Sequence, residues 1–170
     1  WIENYKIGKI KNNTGIVNMI YIWRLSSLKW VDILLTAINE LKKEWINNFK
    51  LDIIWDGEEY ENLSSHIKEN KLDNVKLLWK KNHDEIIKKV LPNTDILINP
   101  SHQEWLPTTV LEWLISKCVV VATDVWWTKE ISDRWDLILV KAWGENDLKK
   151  WLEKALSEYE KLSWESYELL

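Results

Sequence analysis

Short apolar runs that alternate with segments of helical periodicity are the feature that most constrains the fold of this chain. The predicted strands are residues 16–22, 51–54, 75–78, 95–98, 119–122 and 137–140. Most are continuously apolar rather than alternating, which is typical of strands covered on both faces. Alternation of strand and helix indicates βαβ units. We therefore predict an α/β fold, a single doubly wound domain with six mostly parallel strands and helices on both faces.

The segments between the strands carry apolar residues at helical spacing. Residues 31, 34, 35, 38 and 41 follow the i, i+3, i+4, i+7 pattern of one buried stripe. Further helices are predicted around 63–67 and 86–90, from about 108 to 115 and from 148 to 159, with a separate last one at 165–170. Residues 1–15 carry little pattern, so we assign 1–15 to a linker stub and 16–170 to the domain.

Composition limits the classes of function. A chain of 170 residues is long enough to bury a core without disulfides. Its net charge of −4 gives no reason to expect nucleic acid as a partner. The longest apolar run is too short to span a bilayer, and the single cysteine, Cys118, favours a reducing compartment, so we expect a cytoplasmic protein. No cluster of His, Cys and carboxylates has metal-ligand spacing, so no metal is expected.

Two basic residues follow the first predicted strand. In open α/β sheets, ligands bind beyond the carboxyl ends of the strands. Arg24 and Lys29 lie five residues apart in the loop after that strand. A guanidinium and an ammonium so placed could hold a phosphate or a diphosphate. The alternative is that both are solvated surface charges.

Two glutamates and a helix start follow the fourth predicted strand. Thr108 and Thr109 come directly after Pro107 and open a predicted apolar helix, whose free backbone N–H groups form an anion site. Glu112 lies one turn into that helix and leans back toward its N-terminus. Glu104 precedes the helix in the loop. The alternative is that Glu112 is an ordinary first-turn acid and Glu104 a loop charge.

Several motifs, in the order in which they occur along the chain, resemble those of a known family. Residues 20–30 resemble the Gly-Arg-Leu…Lys-Gly segment of the retaining glycosyltransferases with the GT-B fold, the large group-1 family. Glu104 and Glu112 stand where that family has its paired glutamates. Other segments resemble its successive motifs: 51–57, 75–79, 95–100, 119–130 and 137–147. The resemblance runs from about residue 16 to residue 167 and covers only the family's C-terminal, donor-binding half, which has a Rossmann-like fold.

The resemblance implies roles for individual residues. Arg24 and Lys29 would clamp the donor diphosphate, Glu112 would hold the ribose hydroxyls, and Glu104, the catalytic residue, would contact the donor sugar. The implied donor-binding set is Arg24, Lys29, Glu104, Trp105, Leu106, Pro107, Thr108, Thr109 and Glu112. No cofactor or metal is expected, because a cationic pair and a helix dipole can stabilise a departing diphosphate.

The resemblance also implies an activity and partners. The parent enzyme would transfer a sugar, with retention, from a nucleotide diphosphate sugar to an acceptor in polysaccharide or glycolipid biosynthesis. Its partners would be that donor and the missing N-terminal half, and any peripheral membrane association is expected only through that half. The isolated half is expected to be inactive alone. Two alternatives stay open: a module that binds carbohydrate by stacking on tryptophan, and a non-catalytic scaffold domain.

Tryptophan and glycine are present in abnormal numbers. The chain has 14 Trp and only 4 Gly. Seven of the tryptophans stand where the family has glycine, at turns and close approaches that Trp tolerates poorly: Trp23, Trp30, Trp55, Trp79, Trp105, Trp126 and Trp127. Lys outnumbers Arg by 21 to 2, which suggests AT-rich coding. We therefore interpret these tryptophans as glycines encoded by UGA, a codon that some bacterial lineages read as glycine.

Overall fold

The computed structural model describes residues 14–22, 30–54, 57, 59–100, 118–124, 137–141 and 145–168. The strands are β1 (Val17–Ile22), β2 (Phe49–Ile54), β3 (Val75–Leu78), β4 (Ile96–Asn99), β5 (Val119–Asp124) and β6 (Leu137–Lys141). The α-helices in this part of the chain are α1 (Val31–Lys43), α2 (Tyr60–Glu69), α3 (His83–Glu85) and α4 (Glu145–Glu168).

The strands form one sheet in the order β3-β2-β1-β4-β5-β6. Every pair of neighbours is parallel. The α/β class and the parallel sheet predicted from the sequence are therefore confirmed. Strand β2 begins two residues earlier than predicted, because Phe49 already pairs with Val17.

Apolar side chains cover both faces of the sheet. On one face, the buried stripe of α1 packs with α4 and with alternate strand residues such as Tyr21, Leu51 and Val121. On the other face, Ile86, Ile87 and Leu91 belong to a second cluster. That second cluster also contains these strand residues: Ile20, Ile22, Ile54, Leu97, Val120 and Ala122. Coverage of both faces explains why the strands read as continuously apolar.

Two helical segments differ from prediction. Helix α4 runs without a break to Glu168, so the prediction of a separate helix at 165–170 is wrong. The helix is continuous because residues 145–168 contain neither Gly nor Pro. Beyond the single turn of α3, residues Ile86–Val90 form a π-helical turn and Leu91–Asn93 a 3₁₀ turn. Pro92 has no N–H to continue a helix ladder. Residues 1–13 of the predicted linker and the helix predicted from 108 lie outside the described residues.

Candidate functional site

The carboxyl ends of β1 and β4 lie side by side. Met19 pairs with Ile96 and Ile20 with Leu97, and both strands end two residues later, at Ile22 and Asn99. The chain then leaves β1 toward β2 on one side and leaves β4 toward β5 on the other. Ligands of open α/β sheets bind in the crevice at such a reversal of strand order. We call the gap between these two strand ends the switch-point crevice.

The segment with the predicted phosphate clamp begins at this crevice. Arg24 and Lys29 lie in residues 23–29, outside the described residues, between Ile22 and Trp30. Helix α1 begins directly afterwards, and its first backbone bond runs from the Leu34 N–H to the Trp30 carbonyl at 3.0 Å. The positive end of the α1 dipole therefore follows the clamp segment.

The second predicted segment begins at the same crevice. Glu104, Trp105, Leu106, Pro107, Thr108, Thr109 and Glu112 lie in residues 101–117, outside the described residues. This segment joins the end of β4 to the start of β5, two neighbouring strands. The structure thus brings together the strand ends from which both predicted segments leave, whereas the positions of their side chains stay a prediction.

One polar residue of the crevice was not among the predicted site residues. Asn99 ends β4 and is 2% exposed. Its Oδ1 and Nδ2 are both buried, and neither has a hydrogen-bond partner among the described residues. The signal was present in the sequence, as an asparagine that follows an apolar strand and directly precedes Pro100.

Two other polar groups near the sheet have structural partners. The Asn18 backbone N–H donates to Asp95 Oδ2 at 2.9 Å, which joins the start of β4 to β1. The Cys118 thiol donates to the Thr94 carbonyl at 3.1 Å. In the part of the chain that the structure describes, no group of His, Cys, Asp or Glu side chains is arranged to hold a metal ion. That part also has no helix long and apolar enough to cross a membrane.

A cavity of about 470 Å³ lies against the α3 side of the sheet. Polar side chains from β2 and from the turns after α3 line it, including Lys50, Asp52, Lys89 and Asn93. Its lysines at 50 and 89 are exposed. A free ammonium on an exposed flexible side chain is the usual state of surface lysine, so these residues indicate no particular ligand.

Two of the seven tryptophans at family glycine positions are described. Trp30 caps α1 with φ of +49°, a left-handed conformation that favours glycine. Trp79 follows β3, is 70% exposed and stacks on Tyr60 with ring centroids 5.5 Å apart. The other five, Trp23, Trp55, Trp105, Trp126 and Trp127, lie outside the described residues.

Comparison with known families decides the assignment. Residues 5–165 match the model of the family described as glycosyl transferases group 1. The chain belongs to this family. A curated relative, an uncharacterized glycosyltransferase of Methanocaldococcus jannaschii, is 28% identical over 144 residues, which are 84% of this chain and 39% of the relative. This glycosyltransferase chain therefore spans well under half the length of that relative.

Solved structures share the fold. The lipopolysaccharide outer core galactosyltransferase WaaB matches with a TM-score of 0.77 at 17% identity, over 95% of this chain and 47% of WaaB. WaaG, a glycosyltransferase involved in lipopolysaccharide biosynthesis, matches with a TM-score of 0.78 at 18% identity, over 92% of this chain and 42% of WaaG. HepE of Anabaena in complex with UDP matches with a TM-score of 0.75 at 18% identity, over 88% of this chain and 41% of HepE. At these identities the likeness shows the fold alone, an α/β Rossmann-like fold.

Proposed function

We propose that this chain is the donor-binding half of a retaining glycosyltransferase. The observation that carries the proposal is the switch-point crevice: β1 and β4 are adjacent, so the segments with Arg24 and Lys29 and with Glu104 and Glu112 leave the sheet at one place. Membership in the group-1 family supports a nucleotide diphosphate sugar as the ligand. Several structures of the same fold were solved with UDP, among them HepE of Anabaena and TarM of S. aureus, which makes UDP the first ligand to test.

The proposed roles follow from charge and hydrogen bonding. Arg24 and Lys29 hold the diphosphate and stabilise the charge that develops on it as it leaves. The backbone N–H groups of residues 106–109 add the positive end of a helix dipole. Glu112 accepts hydrogen bonds from the ribose hydroxyls, and Glu104 orients the donor sugar. With the charge stabilised in this way, the reaction requires no metal or other cofactor.

The proposed reaction also needs a second half. In the transfer, the bond from the anomeric carbon to the leaving diphosphate oxygen breaks, and a bond to the acceptor hydroxyl oxygen forms on the same face of the sugar. The proton of that hydroxyl passes to the departing diphosphate. The acceptor would be held by an N-terminal domain, and this chain alone would be inactive. The lipopolysaccharide enzymes WaaB and WaaG support a place in polysaccharide or glycolipid biosynthesis. We propose a cytoplasmic location because the single cysteine of the chain favours a reducing compartment.

We further propose that glycine occupies the positions that read as tryptophan at family glycines. Trp30 supports this with its left-handed φ of +49°. Trp45, to which the resemblance assigns no family residue, adds an independent case: it has φ of +64° and is 88% exposed. An exposed tryptophan at a left-handed position gains neither burial nor favourable backbone geometry, whereas glycine accepts that geometry without a steric cost.

A titration tests the donor-binding function. The chain is compared with a variant, called the seven-glycine variant, in which Trp23, Trp30, Trp55, Trp79, Trp105, Trp126 and Trp127 are replaced by glycine. We expect the seven-glycine variant to bind UDP-glucose and UDP more tightly than uridine, because the clamp acts on the diphosphate. Equal affinity for uridine and UDP, or no binding of either diphosphate, contradicts the proposal.

A second candidate function is a module that binds carbohydrate on aromatic rings. The stacked, exposed Trp79 ring is the observation that favours it. Under this function, the chain with its tryptophans binds glucose oligosaccharides without any nucleotide, and Trp79→Gly abolishes that binding. Under the donor-binding function, glucose oligosaccharides do not bind and Trp79→Gly has no such effect.

A further inference from the structure

The carboxamide of Asn99 is buried without a partner. The side chain is 2% exposed, and neither Oδ1 nor Nδ2 makes a hydrogen bond within the described structure. The great majority of buried polar groups in proteins are paired, and an unpaired one destabilises the fold. Each exception needs an explanation, such as a catalytic role or a bound water or ion. The ligand-free fold therefore carries a cost at this residue that a ligand can remove.

The position of Asn99 favours a ligand contact. Side chains alternate along a strand, so Asn99 lies on the same face as Leu97, which belongs to the cluster with Ile20 and Ile22. Asn99 ends β4 where Ile22 ends the neighbouring β1. The unpaired amide thus lies at the switch-point crevice, where the segments with the proposed diphosphate and sugar contacts begin.

We propose that Asn99 is a ligand-contacting residue of this crevice and that its carboxamide hydrogen-bonds hydroxyl groups of the nucleotide-sugar donor. This inference rests on the proposed function. The amide offers a donor at Nδ2 and an acceptor at Oδ1, and a hydroxyl group can both accept and donate. A phosphate oxygen at neutral pH only accepts, so a phosphate would leave Oδ1 unpaired. A sugar ring with neighbouring hydroxyls satisfies both atoms.

Burial sets the size of the expected effect. An exposed amide exchanges a bond to water for a bond to ligand, so its net contribution is small. Because the Asn99 amide has no hydrogen-bond partner within the described structure, its bonds to the donor replace none.

Asn18 provides a matched control. It lies on β1 on the same face of the sheet as Ile20 and Ile22, but near the opposite end of the strand. Its Oδ1 is also buried without a hydrogen-bond partner in the described part of the chain. Asn18→Leu and Asn99→Leu therefore make the same chemical change on one face of the sheet, at two distances from the crevice.

Titration calorimetry with UDP-glucose, on the seven-glycine variant and on the unsubstituted chain, tests the inference. We expect Asn99→Leu to weaken binding at least about tenfold without lowering Tm, because the change removes two unpaired buried groups. Asn18→Leu should leave the affinity unchanged. An Asn99→Leu protein that binds within twofold of its parent, with or without a lower Tm, overturns the inference. If Asn99→Leu does not fold, Asn99→Val is measured against the same criteria.

Three ligands identify the hydroxyl. A loss with UDP-glucose but not with UDP assigns the contact to the transferred sugar. A loss with UDP but not with 2′,3′-dideoxy-UDP, which lacks both ribose hydroxyls, assigns it to the ribose. An equal loss with all three ligands overturns the assignment to a hydroxyl. If neither parent protein binds UDP-glucose or UDP, the proposed function is contradicted, and this inference falls with it.

Discussion

The backbone N–H of Ile46 donates to the carbonyl oxygen of Leu41 at 3.0 Å and closes the C-terminal end of α1. The Trp45 N–H donates to the Lys42 carbonyl at 3.0 Å, which completes a Schellman motif with Trp45 as its left-handed residue. Helix α2 ends in the same way, with Lys71 at φ of +51°. Glycine is the residue that this position favours, because it has no Cβ.

Replacing Trp45 by glycine should stabilise the fold. The exposed indole contributes little burial, and a left-handed backbone costs a residue with a Cβ about 1–2 kcal/mol. We expect Trp45→Gly to raise the free energy of unfolding by about 1 kcal/mol in urea denaturation, and Lys71→Gly to do the same at α2. The matched control is Trp151→Gly inside α4, where a half-buried indole packs on the core. That change should destabilise by at least about 1 kcal/mol. A Trp45→Gly protein less stable than its parent contradicts the prediction.

The ion pair between Glu44 and Lys149 should make stability depend on pH. Lys149 joins the end of α1 to α4, and it also lies 3.3 Å from Glu153. The hydrogen bond from Lys149 lowers the pKa of Glu44 below 4.5, and the same bond raises the pKa of Lys149 above 10.5. A carboxyl with a lowered pKa stabilises the fold above its unfolded pKa and loses that effect as pH falls. A lysine with a raised pKa does so below its unfolded pKa and loses the effect as pH rises.

Lys149→Met should therefore lower Tm at neutral pH. The difference from the parent should shrink as pH falls through the lowered pKa of Glu44 and as it rises through the raised pKa of Lys149. Lys88→Met is the comparison: the hydrogen bond from Lys88 also lowers the pKa of Asp84, but this exposed i,i+4 pair lies within one continuous helical segment, so its removal should change Tm less at every pH. Thermal unfolding at a series of pH values measures both. A Tm difference for Lys149→Met that is the same at all pH values contradicts the assignment.

The proposed phosphate clamp should contribute to binding only when the ligand carries the charged diphosphate. In the seven-glycine variant, Arg24→Ala and Lys29→Ala should each weaken UDP binding by about 1.5–3 kcal/mol, the range for charge-assisted hydrogen bonds. Uridine binding should barely change. Arg134→Ala removes the other arginine of the chain and serves as the control. Calorimetric losses of equal size for uridine and UDP would show that these residues do not clamp the diphosphate.

The two glutamates should separate binding from turnover. In the protein joined to its N-terminal half, Glu112→Gln should weaken the binding of nucleotides that carry ribose far more than Glu104→Gln does. The expected loss of binding free energy is about 1.5–3 kcal/mol, because hydrogen bonds to a charged group are lost. Glu104→Gln should mainly lower kcat, because it loses a contact that orients the donor sugar. The assignment is reversed if Glu104→Gln impairs UDP binding as strongly as Glu112→Gln.

Periodicity predicted the parts of the fold that depend on apolar spacing. The α1 stripe is almost wholly buried, from Val31 to Leu41, because spacing alone decides which helix face meets the sheet. Periodicity did not predict that α4 continues to Glu168, because the apolar spacing fades after residue 159. The helix continues there because residues 159–165 contain neither Gly nor Pro. Nor did periodicity find Asn99, whose unpaired amide depends on what surrounds it in three dimensions. The order β1 next to β4 follows from contacts distant in sequence, yet it defines the candidate site.

Restoring glycine should change solubility and donor binding together. Five of the tryptophans come shortly after the end of a strand in the sequence: Trp23, Trp55, Trp105, Trp126 and Trp127. We therefore expect their indoles to crowd the edge of the sheet where the donor binds. A set of exposed indoles forms an apolar patch that promotes association. The chain with its tryptophans should therefore express poorly and bind UDP-glucose weakly or not at all. The seven-glycine variant should be soluble and bind it.

The coding sequence gives the decisive test of why these residues are tryptophan. UGA codons at the seven family glycine positions and at Trp45, with UGG at Trp164, are the expected result. Trp164 is the reference because it lies in a segment that resembles a tryptophan-containing segment of the family. Mass spectrometry of the protein from its natural source should then find glycine at each UGA position, lighter than tryptophan by the same amount each time. UGG codons at these positions contradict the glycine hypothesis, and Trp30 and Trp45 are then tryptophans held in a left-handed backbone.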